Sequence, residues 1–151
     1  MMQKQSQTLD SYKVTCEIDV RFRDTDAMGH VNNAVYLSYL EFARMRYWNA
    51  ITGITDYRQV PFILGEVQIR YLSPAVAGER LVVGIKPGEL RGASFDYQYT
   101  IWDKNTKRRV AIATTVQVCY DYKTKKPFRL TGEIRERILE FERSGTAPSD
   151  I

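Results

Sequence analysis

The chain is poor in the residues that build metal and disulfide sites, with one histidine, His30, and two cysteines, Cys16 and Cys119, among 151 residues. Neither cysteine has a CxxC partner and no second histidine joins them, which argues against a zinc site. Both fall in strand-like stretches, where a small thiol serves as core filler. No run approaches the roughly 20 apolar residues that a membrane helix needs, and residues 1–10 are largely polar with no apolar run. A cytoplasmic, reduced protein is the expectation. No internal repeat, low-complexity run or linker interrupts the chain.

What is present is an ordinary globular composition, 44% hydrophobic and 26% charged, at a length close to one domain. A single domain over 1–151 is expected, with flexible tails at about 1–10 and 144–151. The formal charge of +4 favours anionic partners such as phosphorylated cofactors. Lys and Arg are nevertheless scattered rather than gathered into a stripe, so no nucleic acid partner is indicated.

Residues 13–22 alternate, with Val14, Cys16, Ile18, Val20 and Phe22 on one face and charged or polar residues on the other. This predicts a half-buried strand. Asn32 or Asn33 can cap a helix running to about Asn49, with Gly53 marking its exit. Apolar and aromatic residues occupy nearly its whole circumference, the pattern of a buried helix, while Glu41 and Arg44 are spaced to pair on its surface. Four strands follow at 62–72, 80–86, 94–103 and 108–122, the last with Val110, Ile112, Thr114, Val116, Val118 and Tyr120 on one face. Turn residues at Pro87-Gly88, Arg91-Gly92 and 103–106 join the last three as two hairpins. Thr131 can cap a short closing helix whose stripe is Ile134, Ile138, Leu139 and Phe141. The order predicts an α+β fold in which a largely antiparallel sheet curls around one long helix.

Reactive groups concentrate at residues 23–33, where Asp24, Asp26, Gly29, His30, Asn32 and Asn33 lead into that helix. A carboxylate beside a helix N-terminus can attack, or direct water onto, a carbonyl whose developing negative charge the helix N–H groups stabilise. Asp24 reads as a loop-shaping residue bonded to nearby backbone N–H groups. Gly29 supplies a conformation or a close approach that a side chain would forbid.

The strand, the pattern Asp24-x-Asp26-x-x-Gly29-His30-Val31-Asn32-Asn33, the buried helix and the four strands resemble the hotdog-fold acyl-CoA thioesterases of the 4-hydroxybenzoyl-CoA thioesterase group. Ile69-Arg70-Tyr71-Leu72-Ser73-Pro74 with Gly78-Glu79 is similar to that family's second strand and its exit turn. The resemblance spans almost the whole chain. It implies a five-stranded antiparallel sheet around one central helix, and a homodimer, often paired again into a homotetramer, with active sites at the dimer interface. Such assembly would also protect an open sheet edge.

The resemblance further implies hydrolysis of acyl-CoA thioesters to free acid and CoA, with no cofactor other than the CoA of the substrate and no metal. Asp26 maps to the catalytic carboxylate, and the backbone N–H of about Asn33 to the thioester carbonyl. An ionised Asp is a weak base, so either burial raises its pKa or it attacks directly to form a mixed anhydride. His30 matches the His-Val-Asn-Asn of plant acyl-ACP thioesterases, and it stands between an assisting role and a structural one. Tyr36 and Tyr39 would line the acyl pocket. Glu41 lies near the helix position where a different thioesterase clade carries its carboxylate, and it is read here as a salt-bridge or substrate-pocket residue. Glu66 has a weaker claim of the same kind. The turn after the third strand, with Arg91, Gly92 and Ser94, would grip the CoA phosphates, and Lys86 or Arg109 could substitute.

Three rival readings stand beside this one. An acyl-ACP thioesterase would differ in its carrier. A hotdog-fold dehydratase would need a histidine with an acidic partner, to which Asp26 and His30 are a poor match. A non-catalytic acyl-CoA sensor would keep the fold without turnover.

Overall fold

The computed structural model describes residues 8–145. The strands are β1 (Val14–Asp19), β2 (Phe62–Tyr71), β3 (Arg80–Leu90), β4 (Ser94–Asp103), β5 (Arg109–Asp121) and β6 (Lys126–Pro127), with helices α1 (Val35–Thr52) and α2 (Gly132–Ser144). The five long strands run in the order β1-β3-β4-β5-β2, every neighbouring pair antiparallel, and β6 adds two residues beside the end of β5. This is the α+β hotdog fold, a curled antiparallel sheet wrapped around one long helix. Leu81, Val83 and Ile85 of β3 with Phe95, Tyr97, Tyr99 and Ile101 of β4 form the buried wall against Leu40, Ala43, Tyr47 and Ile51 of α1. Edge-to-face rings knit that wall, with Tyr47 and Tyr97 centred 5.1 Å apart and Phe95 and Tyr97 5.2 Å apart.

The first strand is shorter than its alternation predicts. Val20 stays buried through backbone bonds with Glu79 and Gly78, but the Asp24 carboxylate accepts the Arg21 N–H at 3.0 Å and winds Phe22–Asp24 into a 3-10 turn. Phe22 is therefore 86% exposed rather than on the core face. In the third strand, Pro87 and Gly88 do not form the turn. They sit at a register shift inside β3, where a lost ladder bond is tolerated, and the chain reverses at residues 91–93.

Helix α1 begins at Val35, later than Asn32 or Asn33, and ends at Thr52, beyond Asn49. Asn32 still serves the helix entry, since its Oδ1 accepts the Ala34 N–H at 2.9 Å. Gly53 closes the helix in the left-handed region, φ 76°, its N–H reaching the Asn49 carbonyl at 2.7 Å. The helix is not buried all round, because the sheet covers one side only and leaves Leu37, Ser38, Glu41 and Phe42 exposed. Glu41 and Arg44 do not pair within 4 Å; Arg44 turns inward and donates to the Tyr99 hydroxyl at 3.3 Å.

The alternation of β5 is real, but the opposite set faces the helix. Ala113, Thr115, Gln117 and Cys119 are buried in register with the core-facing Tyr99, Tyr97 and Phe95, while Thr114, Val116 and Val118 lie on the outer face. The aromatics of β4 fill the inner volume and leave β5 room for small or slender side chains. Helix α2 starts at Thr131, whose hydroxyl accepts the Ile134 N–H at 3.2 Å, and it buries Ile138 and Phe141 but not Leu139. Leu9–Ser11 form a 3-10 turn, and α2 reaches Ser144. Residues 1–7 and 146–151 lie outside the described residues.

Candidate active site at the start of α1

Two hydrogen-bonded turns bring the polar junction to the N-terminus of α1. The first is the Phe22–Asp24 turn. Asp24 is buried, and its carboxylate accepts the Arg21 N–H and guanidinium, both at 3.0 Å, and the Tyr39 hydroxyl at 2.8 Å. Burial alone would raise this carboxyl, but the bonds from Arg21 and Tyr39 outweigh it and hold the pKa below the usual carboxylate value. Tyr39 rises in response, through burial first and the facing carboxylate second, and so keeps its donor proton. Both oxygens of Asp24 are engaged by structural partners.

The second turn is a small hairpin closed by the Thr25 and Val31 pair. The Asp26 N–H reaches the His30 carbonyl at 2.8 Å, and the Gly29 N–H reaches the Asp26 carbonyl at 2.9 Å. Gly29 sits at φ 77° with nothing near the place of a Cβ, so it is the backbone conformation and not a close approach that suits glycine here. Oδ1 of Asp26 accepts the Met28 N–H at 2.9 Å. Among the described residues its second oxygen has no hydrogen-bond partner. Asp26 is exposed, held by one oxygen and open at the other.

Asn32 satisfies the first donors of the helix, taking the Ala34 N–H on its side chain and the Val35 N–H on its carbonyl, each at 2.9 Å. The Asn33 N–H is left without an acceptor among the described residues, while the Asn33 carbonyl accepts the Tyr71 hydroxyl at 3.0 Å. Asp26, His30, Asn33, Tyr36, Tyr71 and Ser73 meet around a cleft of about 260 Å³. The Tyr36 and Tyr71 rings meet edge to face at 5.2 Å in its wall. Burial raises the Tyr71 hydroxyl pKa and keeps it a donor.

The far wall, Ser73 and Pro74, is braced by Arg108, which no sequence pattern singled out. Arg108 donates to both Glu79 oxygens at 3.2 and 3.1 Å, to Ser73 Oγ at 3.0 Å and to the Pro74 carbonyl at 3.1 Å. Glu79 in turn accepts the Val76 N–H at 2.8 Å, and Val76 pairs with His30. The signals for Tyr71, Ser73 and Glu79 stood at the end of β2 and in its exit turn, but nothing local tied them to Asp26.

The other candidates lie apart. Glu41 is exposed and lines a separate cleft with Arg44 and Trp48. Glu66 is exposed on β2 opposite Val116. Arg91 and Ser94 sit at the other end of the sheet, where Arg91 donates to Ser94 Oγ at 3.0 Å and pairs with Asp96 and Glu89. Tyr39 is committed to Asp24. A cleft of about 520 Å³ opens between Arg58 and Phe128, and one of about 620 Å³ flanks the first turn of α1 beside Asp24 and Tyr39, but the 260 Å³ cleft joins an open carboxylate oxygen to the unpaired Asn33 N–H just before the helix. Among the described residues no three His, Cys, Asp or Glu side chains group as metal ligands, and no helix is long and apolar enough to cross a membrane.

A curled sheet around one helix, with a carboxylate turn at the helix entry, belongs to a recognised group: residues 20–138 match the Thioesterase-like superfamily, and the chain is a member of it. It is 32% identical over 127 residues to the long-chain acyl-CoA thioesterase FadM of Escherichia coli K12, covering 81% of this chain and 94% of that one. It is 37% identical over 109 residues to the 1,4-dihydroxy-2-naphthoyl-CoA hydrolase of Thermosynechococcus vestitus, covering 66% and 70%. A thioesterase of Thermus thermophilus, solved in complex with coenzyme A and Zn, superposes with a TM-score of 0.82 at 32% identity, covering 89% and 98%. Kinship with acyl-CoA thioesterases supports a thioesterase-type hydrolase activity for this fold family.

Proposed function

We propose that the protein hydrolyses acyl-CoA thioesters to free acid and CoA in the cleft at the start of α1. The observation that carries this reading is the open oxygen of Asp26 in the same cleft as the unpaired Asn33 N–H. The thioester carbonyl accepts that N–H at the positive end of the helix, where negative charge developing on its oxygen is stabilised. Asp26 then acts by one of two routes. It attacks the carbonyl carbon, expelling the CoA thiolate and leaving a mixed anhydride that water opens, or it takes a proton from the water that attacks. His30 borders the cleft and is suited to ordering that water, and Tyr36 with Tyr71 forms an aromatic wall for the acyl group.

Arg91 and Ser94 remain the proposed contacts for CoA phosphates, although a phosphate would have to compete with Asp96 and Glu89 for the Arg91 guanidinium. Arg129 lies against Gly92 of the same turn, and Arg135 donates to the Arg91 carbonyl at 2.8 Å, which adds positive charge there. A homodimer through the open β2 edge is proposed as well, since Ile63, Leu64, Tyr71 and Leu72 leave apolar surface along it. Its further pairing into a homotetramer, and a cytoplasmic location, complete the proposal.

The test is free-thiol release from a panel of acyl-CoAs by wild type and Asp26→Asn. Loss of turnover in the variant supports the mechanism, and equal rates would sink it. Comparing one acyl chain on CoA and on carrier protein decides the carrier, and light scattering decides the assembly.

A further inference from the structure

The cleft beside Glu41 is lined by hydrogen-bond donors, which is unusual for a space between a helix and an apolar strand. It measures about 230 Å³, between the middle of α1 and the start of β2, with Glu41, Arg44, Trp48 and Gln117 among apolar Phe62 and the Ile63 and Leu64 that border the edge proposed for the dimer. The direction of every bond behind it follows from one residue. Arg44 has no acceptor, so the Tyr99 hydroxyl accepts from it at 3.3 Å and must donate onward to Thr115 Oγ1 at 2.6 Å. The Thr115 hydroxyl then donates to Gln117 Oε1, and the Gln117 amide nitrogen donates to the Phe95 carbonyl at 3.1 Å.

This chain of bonds uses up the acceptors and leaves donors over. Gln117, 1% exposed, has spent one amide hydrogen and keeps another. Arg44 makes no ion pair among the described residues. The Trp48 indole N–H is buried with no acceptor among the described residues, an arrangement that costs stability unless something arrives to meet it. Glu41, exposed at the same cleft, is the one carboxylate that lines it among the described residues. A hydroxyl suits this set, since its oxygen accepts from the spare donors and its hydrogen goes to Glu41. A carboxylate would meet Glu41 as a like charge.

We propose that this cleft binds the far end of the acyl group and selects acyl chains carrying a distal hydroxyl. The proposal rests on the thioesterase reading of the α1 N-terminus. Arg44 and Trp48 stand 11 and 15 residues beyond Asn33, spans of about 17 and 22 Å at the helical rise. A thioester bound at Asn33 would need a chain of hexadecanoyl length to reach the cleft.

The experiment measures kcat/KM for hexadecanoyl-CoA, ω-hydroxyhexadecanoyl-CoA and ω-carboxyhexadecanoyl-CoA with wild type, Arg44→Leu and Gln117→Leu, each checked for folding by its melting curve. Wild type should favour the hydroxylated chain over the plain one by about tenfold, and at least one variant should bring the ratio close to one. A wild-type ratio of one, a ratio kept in both folded variants, or a preference for the carboxylated chain would overturn the proposal. If no thioester releases thiol, the thioesterase reading itself falls. The selection is then read by calorimetry with the thioethers S-(ω-hydroxyhexadecyl)-CoA and S-hexadecyl-CoA, where about tenfold tighter binding of the first supports it and equal affinity refutes it.

Discussion

Asp24 and Asp26 are separated by one residue and live in opposite surroundings. Asp24 is buried, with both oxygens bonded to Arg21 or Tyr39. Asp26 is exposed, tethered through one oxygen to Met28, and open at the other. The difference comes from where each turn points its side chain: the 3-10 turn folds inward under α1, and the hairpin stands out over the helix entry. Identical carboxylates thus divide into one that builds the junction and one that is available for chemistry.

The sharpest way to break this contrast is Asp26→Asn. Asparagine still accepts the Met28 N–H, so melting should be unchanged while thiol release falls by about 100-fold or more. Equal activity would erase the division. Asp24→Asn should do the reverse in emphasis, lowering stability by about 2 kcal/mol through the loss of a buried charge-assisted network, as read by urea unfolding.

The pH dependence of that loss follows from the depressed Asp24 pKa. A carboxyl whose folded pKa lies below its unfolded value stabilises the fold above the unfolded value, about 3.9, and ceases to do so as pH falls through the folded one. The gap between wild type and Asp24→Asn should be full at neutral pH and should shrink below about pH 4. A gap that widened in acid would contradict the assignment.

Smaller effects test the supports. Tyr71→Phe removes the bond to the Asn33 carbonyl and should cost about 1 kcal/mol of stability, with a several-fold fall in thiol release. Gly29→Ala forces a side chain into φ 77° and should cost about 1 kcal/mol, measured by thermal melting. If it lowered activity more than Tyr71→Phe, the hairpin would matter more to the site than the bridge from β2.

The long strands and α1 could be read from the sequence because period-2 alternation and one dense apolar helix are local signals. Asp26, His30 and Asn33 were legible together for the same reason, since one turn carries them all. Phe22 was misread because alternation ran past the point where Asp24 captures the Arg21 N–H. Alternation left open which face of β5 meets the helix: Val116 and Val118 are more apolar than Thr115 and Gln117, but the helix side had little volume left beside Tyr97 and Tyr99. Tyr71 at the cleft, and Glu79 and Arg108 bracing its wall from behind, could not be tied to Asp26 from the sequence, because strand pairing brings them together from far along the chain.

The Asn32 carbonyl that accepts the Val35 N–H belongs to the same peptide unit as the Asn33 N–H. Drawing electron density toward that carbonyl oxygen leaves the amide hydrogen at the other end of the unit more positive, by the mutual polarisation that strengthens chained hydrogen bonds. Any acceptor arriving at Asn33 therefore meets an amide that the first turn of α1 has already sharpened, and the helix contributes through one conjugated bond as well as through its length.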